Sequence, residues 1–229
     1  MLEAFALGLA AQSSLLASGL FASWVKVPAR IVGWLAAFGA GALVSALTFD
    51  LTVQAHVLGP SLGLWLLLGA AVFVGGDLVV EQRFGSEGST APLGIVLGSV
   101  VDGVPESLIL GIGVATGNVS SPAFIVAVLV SNIPQALAPS ADLVAAGWSR
   151  ARLSLMWGAV VVACGLAALL GYGIVSIDTA ATGARAAAVA AGGLLAMLTN
   201  SLMPFALERG GRLAGIWTVV GFALSVALL

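Results

Sequence analysis

The sequence predicts an all-α integral membrane protein with eight transmembrane helices in a compact bundle, the fourth and fifth kinked at proline. The first observation behind this prediction is composition, because 60% of the 229 residues are hydrophobic and only 8% are charged. A soluble domain of this size carries far more surface charge, so lipid must be the solvent for most of the chain. The second observation is that the apolar residues form runs long enough to cross a bilayer, and the third is that the links between them are short.

The apolar runs are separated by clusters of polar residues, glycine and proline. Each has about 20 residues, enough for a helix that satisfies its own backbone hydrogen bonds in hydrocarbon. No link is long enough for a soluble domain, so residues 1–229 are interpreted as a single transmembrane domain. The expected spans lie near residues 4–24, 31–53, 61–80, 93–115, 122–146, 152–174, 184–206 and 212–229.

The basic residues indicate which side of the membrane each link faces, because cytoplasmic links are enriched in lysine and arginine. All but one of the basic residues lie in links after odd-numbered spans, and only Arg185 falls on the opposite side. Both termini are therefore expected outside the cytoplasm, in a multi-pass protein of an inner or plasma membrane. The residues that set this orientation are Lys26, Arg30, Arg83, Arg150, Arg152, Arg209 and Arg212.

Two carboxylates, Asp102 and Glu106, lie four residues apart within the fourth apolar run, so they share one face of a helix. Each ionised carboxylate at the membrane centre costs roughly 2.5–3.5 kcal/mol, and their mutual repulsion adds roughly 3 kcal/mol at an effective dielectric constant of about 20. No basic residue lies at membrane depth in the predicted spans. A bound cation or a proton is the expected compensation, and acids in this setting usually mark ion or proton pathways.

The fifth run repeats this pattern with neutral side chains. Ser131 and Asn132 precede Pro134, and Gln135 follows it directly. A proline inside a helix frees the carbonyl four residues before it, which can then bind water or a ligand. A simple kink explains the proline alone, and hydrogen bonding between helices explains Asn132 and Gln135 about as well as ligand binding does.

Three further polar residues are candidates for a pathway through the membrane. Asp50 lies near the outer end of span 2, Asp142 lies near the cytoplasmic end of span 5, and Asn200 lies in span 7. Asp142 is seven residues after Gln135 and therefore on the same helix face. Interfacial exposure is the favoured explanation for Asp50, as it is for Asp77 at the end of span 3.

The motifs in spans 4 and 5 resemble those of the ZIP (Zrt/Irt-like) family of divalent metal transporters. That family carries H-N-x-P-[DE] in span 4 and H-E-x-P-H-E in span 5, where this chain has D-G-V-P-E at 102–106 and S-N-I-P-Q-A at 131–136. The segment G-W-S-R at 147–150 is similar to the family's A-G-x-S-[KR] segment. The resemblance implies eight spans with both termini outside, and metal transport by alternating access around a mid-membrane site.

The chain departs from the family at most of the ligand positions. Asp102 stands where the family has its span-4 histidine, and Glu106 keeps the acid. In span 5, Ser131 and Gln135 stand at the histidine positions and Asn132 at the first acid. No histidine ligand remains, so the resemblance implies a metal site built from two carboxylates and neutral oxygen donors.

A set of oxygen donors changes the expected substrate. Zinc generally favours nitrogen and sulfur, whereas oxygen ligands suit Mg²⁺, Mn²⁺ or Ca²⁺. We expect a divalent cation of the Zn, Mn, Fe or Mg class to be the transported substrate, with a hard cation favoured and zinc bound more weakly than by a histidine-bearing relative. Asp102 and Glu106 would supply charge, Asn132 and Gln135 with Ser131 would complete the coordination, and no organic cofactor is expected.

The sequence is also compatible with functions other than metal transport, some more readily than others. The scaffold could have lost metal transport and serve a structural or regulatory role, or carry protons or a small organic solute. An enzyme is the least expected class, because the sequence has no Ser/His/Asp or metal–histidine pattern. The expected partners are the metal cation and the lipid bilayer, a homodimer is possible, and the absence of a basic patch argues against nucleic acid.

Overall fold

The computed structural model describes residues 1–84, 91–117, 121–176 and 180–228. Within these ranges, the side chains of residues 50–55, 91–93, 176 and 180–181 lie outside the description. Helices make up nearly all of the described residues, which contain no β-strand. The predicted all-α fold class is therefore confirmed.

The longer helices follow one another with short connections. A 3₁₀ turn, Gly59–Ser61, precedes α3; a π-helical turn, Leu198–Leu202, joins α7 to α8; and a second 3₁₀ turn, Gly211–Leu213, precedes α9. The helices are α1 Leu2–Phe21, α2 Ala29–Leu58, α3 Leu62–Phe84, α4 Ala91–Thr116, α5 Pro122–Ala145, α6 Arg150–Ser176, α7 Ala180–Met197, α8 Met203–Gly210 and α9 Ala214–Ala227.

Seven stretches of the described chain are long and apolar enough to cross a membrane, as expected for a multi-pass membrane protein. The last of them runs for 46 residues and covers both the seventh and the eighth predicted spans. The predicted count of eight is therefore not confirmed. The stretches are Leu2–Phe21, Ala29–Phe49, His56–Phe84, Gly94–Thr116, Pro122–Ala145, Arg150–Val175 and Thr182–Ala227.

The backbone of the last stretch is interrupted twice. The π-helical turn Leu198–Leu202 lies directly before Pro204, whose ring cannot continue a regular helical hydrogen-bond ladder. Gly211 then adopts a φ of 63°, a left-handed conformation that favours glycine, and α8 ends at this point. The chain from Thr182 to Ala227 is consequently not one continuous helix.

Helix α5, which carries the second polar motif, has well-defined ends. Ser121 caps its start, because the Ser121 Oγ accepts a hydrogen bond of 3.2 Å from the backbone N–H of Phe124. Pro122 occupies the first turn, where the missing N–H costs nothing. At the other end the chain leaves the helix through Gly147, with a φ of 87°. Pro134 lies inside the helix, and a kink there stays a prediction.

The described chain forms two compact units, and α1, α2 and α6 each contribute residues to both. The first unit contains Met1–Leu9, Leu47–Ser120 and Val162–Met197. The second contains Ala10–Ala46, Ser121–Val161 and Leu198–Leu229. Helices α3, α4 and α7 therefore belong to the first unit, and α5, α8 and α9 belong to the second.

Glycines bring helix backbones together in the first unit. A Cβ on Gly111 of α4 would overlap the backbone carbonyl oxygen of Ala168 on α6. A Cβ on Gly192 of α7 would likewise overlap the carbonyl oxygen of Leu66 on α3. Small residues of this kind allow close helix approach in lipid, where dispersion contacts rather than water exclusion hold helices together.

In the second unit, a glycine likewise allows close contact between α2 and α9. A Cβ on Gly221 would overlap the carbonyl oxygen of Phe38. Nearer the start of α2, the Trp34 Nε1–H donates a hydrogen bond of 3.1 Å to the Gly210 carbonyl oxygen. The Trp34 ring also stacks on that of Trp217, with 6.0 Å between their centroids. Close backbone contact and indole packing therefore hold α9 against α2.

We predict that Gly221→Ala lowers the thermal unfolding midpoint of the detergent-purified protein. The added methyl group overpacks the contact with Phe38, which typically costs about 1–3 kcal/mol. Gly215→Ala is the matched control, because it makes the same replacement in α9 at a position where an added Cβ meets nothing within 4 Å. Equal midpoints for the two variants would contradict the close approach of α2 and α9.

Candidate functional site

The two carboxylates of α4 lie in the middle of a membrane-spanning stretch. Asp102 and Glu106 fall well inside Gly94–Thr116, one helical turn apart. Glu106 is only 1% exposed, and Asp102 is partly buried. The helix thus carries one buried acid and one partly accessible acid on the same face.

Helix α4 meets α7 closely at Pro105, the residue before Glu106. Pro105, which is itself buried, faces Gly193 of α7, and a Cβ on that glycine would lie 3.3 Å from the Pro105 Cγ. The absence of a side chain at Gly193 therefore lets α7 approach the proline closely.

Further titratable side chains of the first unit lie near these acids. Asp77 of α3 is close enough to Asp102 for their charges to interact. Glu81, one turn further along α3, interacts with Asp77 in the same way. Asp77, for which interfacial exposure is the favoured explanation, is partly buried, and its place at the interface stays a prediction. It lies four residues before Glu81, so α3 has the same i, i+4 acid spacing as α4.

Cys164 of α6 is fully buried in the same unit and lies near both Glu106 and Asp102. Even so, the described residues contain no group of three or more His, Cys, Asp or Glu side chains arranged to hold a metal ion.

The polar motif of α5 belongs to the second unit. Ser131 is fully buried, and its Oγ donates a hydrogen bond of 2.9 Å to the Val128 carbonyl oxygen on the same helix. Gly39 of α2 packs against it so closely that a Cβ there would lie 2.6 Å from the Ser131 Cα. The Ser131 hydroxyl proton is thus engaged locally, while the oxygen keeps lone pairs for another partner.

Asn132 is tied to α1. It is 1% exposed, and its Nδ2 donates a hydrogen bond of 3.0 Å to the Gln12 Oε1. A longer contact of 3.4 Å joins the same Nδ2 to the Ala11 carbonyl oxygen. Sequence analysis gave no role to Gln12, because one amide in an apolar run carries no motif that identifies its partner.

Gln135 differs from Asn132 in having a free amide nitrogen. Its Nε2 is buried, and no hydrogen-bond partner for it exists among the described residues. Because no hydrogen bond holds Nε2, the amide group can turn over and present Oε1 in the same place. A buried amide with this freedom is suited to adapt to a ligand.

The residues predicted to line a pathway lie in different parts of the structure. Asp142 is exposed near the end of α5, where its backbone carbonyl accepts a hydrogen bond of 2.9 Å from the N–H of Ala146. Asn200 is exposed and lies within the π-helical turn, a form of helix that is frequent at functional sites. The side chain of Asp50 lies outside the described residues. Their roles in a pathway stay predictions.

The structure therefore groups the predicted ligands into two sets. The first unit contains the charged pair Asp102 and Glu106, and the second contains the neutral residues Ser131, Asn132 and Gln135. Comparison with protein-family models gives no match, and no curated protein is significantly similar to the chain. The resemblance to the ZIP family therefore rests on sequence motifs, chiefly those of α4 and α5.

Proposed function

We propose that this protein is a ZIP-like membrane transporter that moves a divalent metal cation, with Asp102 and Glu106 as its charged ligands. The observation that carries the proposal is the 1% exposure of Glu106, one turn from a second acid in the middle of a membrane-spanning stretch. Keeping a carboxylate there is costly unless a positive charge or a proton compensates it. A divalent cation supplies two positive charges and relieves the repulsion within the pair.

The chain's own basic residues are poorly placed to act as a fixed counter-charge. All of them except Arg185 lie in links or in the first or last turn of a helix. Arg185 lies in the second turn of α7, where its guanidinium sits 5.6 Å from the centroid of the Trp65 ring. Acids near mid-helix and bases near helix ends are what a cation carrier requires, because a fixed partner would compete with the transported ion.

The acids of α3 extend this arrangement. Asp102 interacts with Asp77, and Asp77 interacts with Glu81 near the end of α3 that carries Arg83. The orientation predicted from the basic residues places that end at the cytoplasm. We propose that Asp77 and Glu81 form the cytoplasmic end of the cation route, because successive carboxylates let an ion be transferred without returning to bare hydrocarbon.

The neutral donors of α5 take part in the same transport process. Side-chain oxygens of Asn132, Gln135 and Ser131 are ligands of the kind that hard cations accept. They add no charge, so the total ligand charge comes from carboxylates alone. This composition favours Mn²⁺ or Mg²⁺ over Zn²⁺, which generally binds more tightly where nitrogen or sulfur is present.

We also propose that the segment Thr182–Ala227 contains two membrane crossings divided at Gly211. The break in the backbone at this glycine supports the division, and the adjacent Arg209 and Arg212 fit a cytoplasmic link. The chain then has eight spans, so both termini lie on the same side of the membrane.

The transport proposal predicts uptake of Mn²⁺ into proteoliposomes that contain the purified protein, with Zn²⁺ taken up less well. Asp102→Asn combined with Glu106→Gln keeps the side-chain volumes but removes both charges. We expect uptake to fall about tenfold or more, since a loss of about 1.4 kcal/mol in binding free energy already lowers affinity tenfold.

Glu3→Gln is the matched control, because Glu3 is an exposed acid in the first turn of α1. It should transport like the wild type. Unchanged uptake in the Asp102→Asn, Glu106→Gln variant would exclude the carboxylate site. A wild type that takes up none of Mn²⁺, Mg²⁺, Fe²⁺ or Zn²⁺ above the level of empty liposomes would favour the non-transporting scaffold instead.

The eight-span proposal is tested by cysteine labelling in a Cys164→Ala background, since Cys164 is the only cysteine of the chain. Leu2→Cys and Leu228→Cys should react with an impermeant maleimide from the same side of the membrane. Arg212→Cys should react only from the other side. Labelling of positions 2 and 228 from opposite sides would show an odd number of spans and contradict the proposal.

A further inference from the structure

Gln12 is a buried amide in the middle of α1 that neither the ligand set nor the pathway includes. It is 0% exposed, and its Oε1 accepts the 3.0 Å hydrogen bond from the Asn132 Nδ2. Burying a primary amide in a membrane helix is unfavourable unless the group is hydrogen-bonded. The bond to Asn132 offsets part of this cost, but an apolar residue at position 12 would avoid the cost altogether. The bond joins α1 to α5, so Gln12 acts directly on the position of the Asn132 amide.

The two contacts made by Asn132 fix which end of its amide faces α1. A backbone carbonyl can only accept hydrogen bonds, so the atom facing the Ala11 oxygen must be the donor Nδ2. The same Nδ2 meets an acceptor again in the Gln12 Oε1. The orientation of the Asn132 amide is consequently set by α1, and its Oδ1 is used in neither bond.

This orientation matters because the two ends of an asparagine amide act oppositely on a cation. Oδ1 is a metal ligand, whereas the N–H groups of Nδ2 carry partial positive charge and repel the ion. The contact with Ala11 is long at 3.4 Å, and a hydrogen bond at that length is weak. The hydrogen bond that Asn132 Nδ2 donates to the Gln12 Oε1, at 3.0 Å, therefore contributes most of the restraint.

We propose that Gln12 is a positioning residue that keeps the Nδ2 of Asn132 turned toward α1, so that Oδ1 is the end available to the transported cation. This inference rests on the proposed transport function. Gln12 itself does not contact the cation; it acts through Asn132, as second-shell partners do when they fix the orientation of a metal ligand.

The test compares Gln12→Leu in two backgrounds by the KM of Mn²⁺ uptake into proteoliposomes. In the wild-type background, loss of the orienting bond should raise KM about tenfold or more, the usual effect of removing a partner that orients a metal ligand. In an Asn132→Asp background, both terminal side-chain atoms are oxygens, so no orientation is needed. There the addition of Gln12→Leu should leave KM unchanged.

A merely structural role for Gln12 would give a different result. Loss of packing between α1 and α5 would raise KM by the same factor in both backgrounds, and that outcome would overturn the inference. An unchanged KM for Gln12→Leu in the wild-type background would overturn it as well. If the leucine variant cannot be purified, Gln12→Met gives an unbranched apolar side chain of similar length with the same expected results.

A matched control on the same helix is Ser18→Ala. Ser18 is buried in α1, but its hydroxyl donates to carbonyl oxygens of α1 alone. The variant should keep the wild-type KM. Failure of the wild type to take up any divalent cation would overturn the transport proposal together with this one. Normal wild-type uptake, with Gln12→Leu raising KM equally in both backgrounds, would overturn only the role of Gln12.

Discussion

A carboxylate inside a membrane helix must be compensated by a proton, a cation or hydrogen-bonding partners, and the first unit of this protein is built around that constraint. Hydrocarbon offers no water to solvate Glu106, and the helix that carries it also carries Asp102 one turn away. The first unit surrounds these acids with closely packed helices, whose approach depends on glycines such as Gly111 and Gly193. Glu106 is almost fully buried within this packing, so a cation that bound it would meet a weakly screened charge.

The second unit carries polar side chains of a different chemistry from the acids of the first. Its polar side chains are amides and hydroxyls, which are cheaper to bury than carboxylates when they find hydrogen-bond partners. Asn132 has its amide nitrogen fixed by α1, Ser131 donates to its own helix, and the Gln135 amide nitrogen has no partner in the described chain. The first unit thus carries the charged candidates Asp102 and Glu106, and the second carries the neutral ones.

Much of the fold could be predicted from the sequence because apolar runs of about 20 residues have few alternatives to membrane helices. Pro122 and Gly147 at the two ends of α5 are local signals, and such signals locate helix ends well. The charged residues Glu208, Arg209 and Arg212 predict where the last segment divides, but the π-helical turn before Pro204 and the positive φ of Gly211 are not readable from the sequence. Mean hydropathy stays high across Thr182–Ala227, so hydropathy alone does not mark these interruptions.

The candidate site was predictable where its residues share one helix and not where they meet across helices. The i, i+4 spacing places Asp102 and Glu106 on one face from sequence alone. The contact of Asn132 with Gln12 joins positions 120 residues apart, and the approach of Asp77 to Asp102 depends on how α3 packs against α4. Pairings of this kind are set by helix packing, for which the spacing of residues along the chain gives no rule.

The central claim is that the carboxylates of α4 bind a divalent cation. The most direct test is a titration of the detergent-purified protein with Mn²⁺, followed by its thermal unfolding. Saturable binding should stabilise the wild type by about 2.7 kcal/mol at a concentration 100 times the dissociation constant. Glu106→Gln should lose this stabilisation while unfolding at or above the wild-type midpoint without metal. Equal stabilisation of the wild type and Glu106→Gln by Mn²⁺ would contradict the account.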